Sequence, residues 1–210
     1  MNKNLPLELQ KLHHENTSLR EDCNICQEST MGVGSTAKYN SVIVCKIGST
    51  ENGWFATLSP KTGGNPEEDF TIQLMTQLHF THFSQLSLNS ELAKNYGIIL
   101  ANACSAMTTI MLENPQFKAL SETRETGISL ATYGKCTTWK EKKEHLHLKL
   151  FPFRGLLGQP STVDSSFERK EIERDEKGEF VRMMPIRKKI LPSERFEYLS
   201  RKLIELMNHE

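Results

Sequence analysis

Residues 144–152 read Glu-His-Leu-His-Leu-Lys-Leu-Phe-Pro. In an extended strand side chains alternate between faces, so His145, His147 and Lys149 project to one side and Leu146, Leu148 and Leu150 to the other. The pattern predicts an apolar face turned into a core and an ionisable face turned into a common site. An amphipathic strand with a merely solvated outer face gives the same alternation; two histidines in line favour a site. The second feature is Cys23-Asn24-Ile25-Cys26, a spacing that lets one tight turn present two thiolates to a tetrahedral ion, with two ligands still to find. A redox pair is the competing reading, and it calls for a strand-to-helix context that this loop-flanked segment does not offer. The candidate completing ligands are His79, His82, His145 or the adjacent His13 and His14. Residues 133–138, Tyr-Gly-Lys-Cys-Thr-Thr, lead towards the histidine strand. Here Lys135, Thr137 and Thr138 offer a charge and two hydroxyls to a phosphate, alongside backbone N–H groups; an ordinary connection would look the same. Cys45 and Cys104 fall on apolar faces and read as packing residues.

The elements that must position these groups are legible in outline. A β-branched run around Val42 and Val44 predicts a strand ending at Gly48, after a Gly/Ser/Thr-rich loop over 29–41. The Asn52-Gly53 turn precedes a second strand over 54–58, and 60–68 reads as loop. Phe70, Ile72 and Leu74 alternate with polar residues, which gives a third strand running towards His79 and His82. Over 91–112 the apolar residues Leu92, Tyr96, Ile99, Leu100, Ala103, Met107, Ile110 and Met111 keep the three-four spacing of a helix face, and Asn114-Pro115 should end it. Residues 127–133 and 144–151 read as strands, the second closed by Pro152. The tail over 154–192 is highly charged, with a hairpin turn at Glu176-Lys177-Gly178. It is followed by a terminal amphipathic helix with Phe196, Leu199, Leu203 and Met207 on one side. Strands around one long central helix indicate an α+β fold, an antiparallel sheet covered on one side by helices.

The chain of 210 residues has 26 Lys plus Arg and 26 Asp plus Glu. Polyanion binding by bulk charge is therefore excluded, so nucleic acid is not an expected partner, though a local basic patch at Arg182, Arg187, Lys188 and Lys189 remains. Length argues for a single domain, with a core over about 20–153 and a charged C-terminal extension over about 154–210. No apolar run suggests a membrane span or signal peptide, and five cysteines, with only Cys23 and Cys26 close together, make a poor disulfide framework. A cytoplasmic protein is expected.

His145-Leu146-His147-Leu148-Lys149-Leu150 resembles the signature strand of the histidine triad superfamily, with Lys149 in the place of the third histidine. The order of elements matches as well: an early C-x-x-C, a hairpin, a strand leading to a histidine loop, a long helix, a strand, a glycine turn and the histidine strand. The resemblance covers roughly residues 23–152. It implies a histidine-triad-like antiparallel sheet, a homodimer and, by similarity to the zinc site of galactose-1-phosphate uridylyltransferase, Zn2+ bound by Cys23, Cys26, His145 and His82. His82 is preferred over His79 because Thr-His-Phe-Ser-Gln-Leu resembles the family's histidine loop. The resemblance makes His147 the nucleophile that attacks the α-phosphorus of a nucleotide or nucleotide conjugate, giving a nucleotidyl-histidine intermediate. Lys149 would join it in catalysis as three donors and a fixed charge on the phosphoryl oxygens. With an ordinary pKa of about 10.4, a lysine is no proton shuttle at neutral pH, which favours a phosphate-type acceptor over water. The implied activity is nucleotide-conjugate hydrolysis or nucleotidyl transfer. The alternative is a zinc-stabilised module that binds a nucleotide, or a partner protein, without turnover.

Overall fold

The computed structural model describes residues 7, 18–122, 127–133, 145–153, 167–185 and 189–208. Its elements run α1 (Asn24–Ser29), β1 (Val42–Ile47), β2 (Trp54–Leu58), β3 (Lys61–Thr62), β4 (Ile72–Thr76), a 3₁₀ segment (Phe83–Leu88), α2 (Ser90–Leu112), α3 (Pro115–Glu122), β5 (Gly127–Tyr133), β6 (His147–Phe153), β7 (Phe167–Asp175), β8 (Gly178–Pro185), β9 (Lys189–Ile190) and α4 (Ser193–Met207). Five strands form one antiparallel sheet in the order β1-β2-β4-β6-β5. The α+β class and the long helix are therefore as expected.

The long helix forms where the periodicity placed it. Asn89 caps it by accepting from the Leu92 N–H at 3.0 Å, and Leu92, Ile99, Ala103, Met107, Ile110 and Met111 are buried. Trp54 of β2 pins it to the sheet: its indole N–H donates to the Leu92 carbonyl at 2.9 Å, and its ring lies 5.1 Å from that of Tyr96. Within α2, of 23 residues, an 18-residue window reaches a mean hydropathy of 1.2, which by length and composition alone would do to cross a membrane, a test that the core helix of a folded domain also passes. Its buried face instead packs on β1, β2 and β4. Asn114-Pro115 does more than stop α2. Asn114 Oδ1 accepts from the N–H groups of Gln116 (2.9 Å) and Phe117 (3.3 Å), so the pair opens α3, with proline at the first helical position where its missing N–H costs nothing.

The C-terminal helix is part of the main core. Leu199, Leu203 and Met207 are buried in the same cluster as Trp54, Ile72, Leu146, Leu148 and Leu150. The Asn208 side-chain amide donates to the Val44 carbonyl of β1 at 2.8 Å. A Leu203→Ala substitution should therefore cost about 2–5 kcal/mol, read as a lower urea midpoint. Just before α4, β9 pairs with β3, and the Leu191 N–H donates to the Pro60 carbonyl at 2.9 Å, so part of the expected 60–68 loop is a short strand held by the tail. The β7–β8 hairpin turns at Glu176-Lys177-Gly178 as expected, with Gly178 at φ 123° and the Lys177 N–H on Asp175 Oδ1 at 2.7 Å.

β6 departs from expectation at both ends. It begins at His147, so His145 and Leu146 lie on the lead-in, and it runs through Pro152 to Phe153. Pairing with β4 ends at Ile72↔Leu150, and beyond it β6 is paired only with β5. A proline is tolerated where a strand has a neighbour on one side only. The alternation itself holds: Leu146, Leu148 and Leu150 are fully buried, while His147 and Lys149 are half-buried on the other face. On that second face Ile43, Phe55 and Met75 form a smaller cluster, covered by Ile25 and Met31 from the cysteine segment.

Candidate metal centre and cleft

Cys23 stands at the start of α1 and Cys26 in its first turn, where the Gln27 N–H donates to the Cys23 carbonyl at 3.1 Å. Ile25, between them, packs on the second-face cluster and so presses the turn onto the sheet. His79 comes from the turn after β4, where the Phe80 N–H donates to the Leu78 carbonyl (3.0 Å) and the Phe80 carbonyl accepts from the Leu146 N–H (2.7 Å). That second bond extends the β4–β6 pairing and brings His79 beside His145, with ring centroids 5.0 Å apart and planes at 78°.

The ligand atoms of Cys23, Cys26, His79 and His145 all lie within 4.8 Å of one another, and the group could hold a metal ion. Cys23 Sγ and Cys26 Sγ each lie 3.5 Å from His145 Nδ1, and Cys26 Sγ lies 3.5 Å from His79 Nδ1. Metal–sulfur bonds of about 2.3 Å and metal–nitrogen bonds of about 2.0–2.1 Å, meeting at the tetrahedral angle, set the sulfur–nitrogen edge at about 3.5 Å. The donor set fits.

Hydrogen bonding also fixes the state of His145. Its Nε2 lies 2.8 Å from the Thr76 carbonyl and 2.9 Å from the Thr76 hydroxyl, and that hydroxyl donates to the Leu78 carbonyl at 2.8 Å. Both Thr76 oxygens therefore accept, the proton sits on Nε2, and the Nδ1 lone pair faces the sulfurs. Burial lowers the pKa of His145, against the pull of Cys23, and so favours the neutral imidazole that binds a metal. A hydrogen bond from the Cys26 thiol holds Cys23 well below the ordinary thiol range, with His145 and His79 helping against burial. Second-layer partners of this kind tune metal affinity by about 10–100-fold. Because the Thr76 carbonyl remains in Thr76→Val, we expect a loss near the lower end, about tenfold, in a competition titration with a chelator.

The expected fourth ligand was His82; the structure puts His79 there. His82 is buried three residues further on, at the start of the 3₁₀ segment, with Nδ1 2.7 Å from the Thr81 hydroxyl. The Thr81 and His82 N–H groups both donate to Gln85 Oε1 at 2.9 Å, which closes this loop on itself, and His82 is not in the metal group. The Thr-His-Phe-Ser-Gln-Leu match thus fell on residues that close a turn. His13, His14, Lys135, Thr137 and Thr138 lie outside the described residues.

Next to the metal group opens a cleft of about 480 Å³. Gln73, Met75 and His147 from the sheet line it together with Ile25 and Glu28 of α1, Tyr39 and the Ser59–Lys61 segment. His147 Nδ1 lies 3.0 Å from the His145 carbonyl. A carbonyl only accepts, so Nδ1 carries a proton, and in the neutral ring the lone pair is then on Nε2. Asn24 ties the wall together, donating to the Tyr39 hydroxyl (3.2 Å) and accepting from Lys38 Nζ (2.9 Å). Glu28 is a buried carboxylate in this wall, its pKa raised by burial and partly restored by the backbone of Lys38. Neither Glu28 nor Tyr39 was singled out by sequence: a Glu within Cys-Gln-Glu-Ser and a Tyr in a Ser/Gly-rich loop carry no periodic signal. Lys149 does not line this cleft. It lines an adjoining pocket reached past Gln73, Ser59 and Lys61.

No family model, curated protein or solved structure matches the chain.

Proposed function

We propose that the chain is a nucleotidyl hydrolase or transferase of the histidine triad type, working through a nucleotidyl-histidine intermediate on His147. The observation that carries the reading is the His147 Nδ1 contact with the His145 carbonyl at the edge of a cleft beside a Cys2His2 group. A neutral imidazole held by this contact carries its lone pair on Nε2, the form in which histidine is a nucleophile. The resemblance of residues 145–150 to the family's signature strand, and the shared order of elements, support the same reading. The metal would be Zn2+, as a tetrahedral site of two thiolates and two imidazoles with no open position suits; its contribution is to stabilise the fold. Cys23, Cys26, His79 and His145 would hold it.

In the first step Nε2 forms a bond to the α-phosphorus as the bridging phosphorus–oxygen bond breaks, its electron pair leaving with the oxygen. In the second, an acceptor oxygen attacks phosphorus and the pair returns to Nε2. The test is incubation with a panel of nucleoside polyphosphates and nucleotide–sugar conjugates, followed by intact-mass and peptide mass spectrometry. An acid-labile nucleoside monophosphate adduct on His147, absent from His147→Ala, is expected. Lysine at position 149 favours a second reading, a nucleotide-binding module without turnover, and saturable binding with neither adduct nor product across the panel would select it.

A further inference from the structure

Cys23 and Cys26 differ in what can reach them. Cys23 is half-buried and lines the cleft, whereas Cys26 is buried and does not. Asn24 and Ile25 between them are helical, which sets the two cysteine Cα atoms about 5 Å apart. A disulfide spans Cα separations of about 4.4–6.8 Å, so rotation of side chains is enough to join them. Their sulfurs already lie within 4.8 Å of each other. The same two sulfurs bind α1 to the rest of the site, since they reach His79 and His145. Ile25 on the second-face cluster and Lys46, whose Nζ donates to the carbonyls of Ser29 (2.6 Å) and Met31 (3.1 Å), also hold this segment. What it carries is a wall of the cleft, through Asn24, Ile25 and Glu28. Charge allows the group two forms. Two thiolates balance a divalent ion, and a disulfide beside two neutral imidazoles needs no counter-ion. Either form suits a place where His79 is 0% and His145 2% exposed.

We propose that the cysteine pair is a redox switch as well as half of a metal site: a hydroperoxide oxidises Cys23 and Cys26 to a disulfide, zinc leaves, and the α1 wall of the cleft comes loose. The proposal goes beyond the function given above and rests on the metal group, not on His147. Access puts Cys23 first, with Cys26 as the resolving thiol. The Cys23 thiolate takes one oxygen of hydrogen peroxide as the O–O bond breaks, which gives a sulfenic acid, and the departing hydroxide picks up a proton to become water. The Cys26 thiolate then bonds to the Cys23 sulfur as its S–O bond breaks, and a second hydroxide leaves and is protonated. Two thiolates, one peroxide and two protons thus give one disulfide and two waters; the sulfurs lose two electrons and the peroxide gains them. A disulfide offers the metal no thiolate, and two imidazoles alone do not complete a tetrahedral site, so zinc is released with the second step. A thiol reductant and fresh zinc reverse the change.

The experiment treats the zinc-loaded full chain with a small excess of hydrogen peroxide at neutral pH. A chromophoric chelator follows zinc, against a sample without peroxide, and peptide mass spectrometry after alkylation follows the thiols. One zinc should appear for each Cys23–Cys26 link formed, and a sulfenic-acid trap present from the start should mark Cys23. Amide hydrogen exchange over residues 20–31 should quicken by about tenfold or more in the oxidised chain, while α2 and α4 keep their protection. Dithiothreitol with added zinc should restore the slow exchange. Cys104→Ser leaves the metal group intact and should release zinc at the wild-type rate. Zinc retained while Cys104 is oxidised overturns the switch and keeps the metal site. So does a Cys23–Cys26 link that leaves exchange over 20–31 unchanged. Zinc lost with Cys23 carried to sulfinic acid, with the trap on Cys26, or with Cys23 linked to Cys136, overturns the switch as well. A chain that takes up no zinc removes the site and the switch together.

Discussion

Cys26→Ser should strip the metal and lower the thermal midpoint by about 10–20 °C. Cys26 is buried, and its sulfur lies 3.5 Å from both imidazole Nδ1 atoms, so it makes two of the four sulfur–nitrogen edges of the tetrahedron. Structural zinc contributes about 10–16 kcal/mol of apparent binding free energy in small zinc domains. Here the main core around α2 and α4 stands on the other face of the sheet, so the loss falls on α1, the His79 turn and the lead-in to β6 rather than on the whole fold. A loss of about 5 kcal/mol, at 2–4 °C per kcal/mol for a chain of this size, gives the stated shift. Elemental analysis should find about one zinc per chain in the wild type and none in the variant. A chelator should move the wild-type midpoint to that of the variant and leave the variant where it is. Cys104→Ser, at a half-buried thiol outside the group, should change neither. Purified wild-type protein that is folded without metal, with the midpoint of Cys26→Ser, would refute the site.

On the function proposed above, His147→Ala should lower nucleotidyl transfer by a factor of roughly 10⁴ or more while zinc content and thermal midpoint stay at wild-type values. The side chain is half-buried on the cleft face and belongs to neither hydrophobic cluster, so its loss removes a nucleophile and little packing. His147→Gly leaves space for a free imidazole, which should restore part of the rate in proportion to its concentration and give a nucleotidyl-imidazole product detectable by mass spectrometry. A wild-type rate in His147→Ala would require another nucleophile in the cleft.

The residues that announced chemistry in the sequence are those whose signal is local. Alternation over 145–150 gave the two faces of β6, because a strand repeats every two residues whatever surrounds it, and Leu146, Leu148 and Leu150 are buried as that pattern demands. The three-four spacing over 91–112 gave α2 and the spacing of Phe196, Leu199, Leu203 and Met207 gave α4, since a helix buries one stripe. The two cysteines stood out because one turn of chain suffices to bring them together. Tertiary structure decided what depends on residues far apart in the chain. His79 and His82 follow the same strand, three residues apart and both fully buried. Between them the choice was made by the Phe80–Leu146 bond across strands and by Gln85, which ties Thr81 and His82 into a separate turn. The groove from His147 to Lys149 was hidden for the same reason. Its walls come from α1, the Tyr39 loop and the Ser59–Thr62 segment that β9 fastens in place, none of which has a period of its own. Periodicity in a sequence reports which way a side chain faces its own element; which faces meet is set by pairings whose partners lie up to more than a hundred residues away.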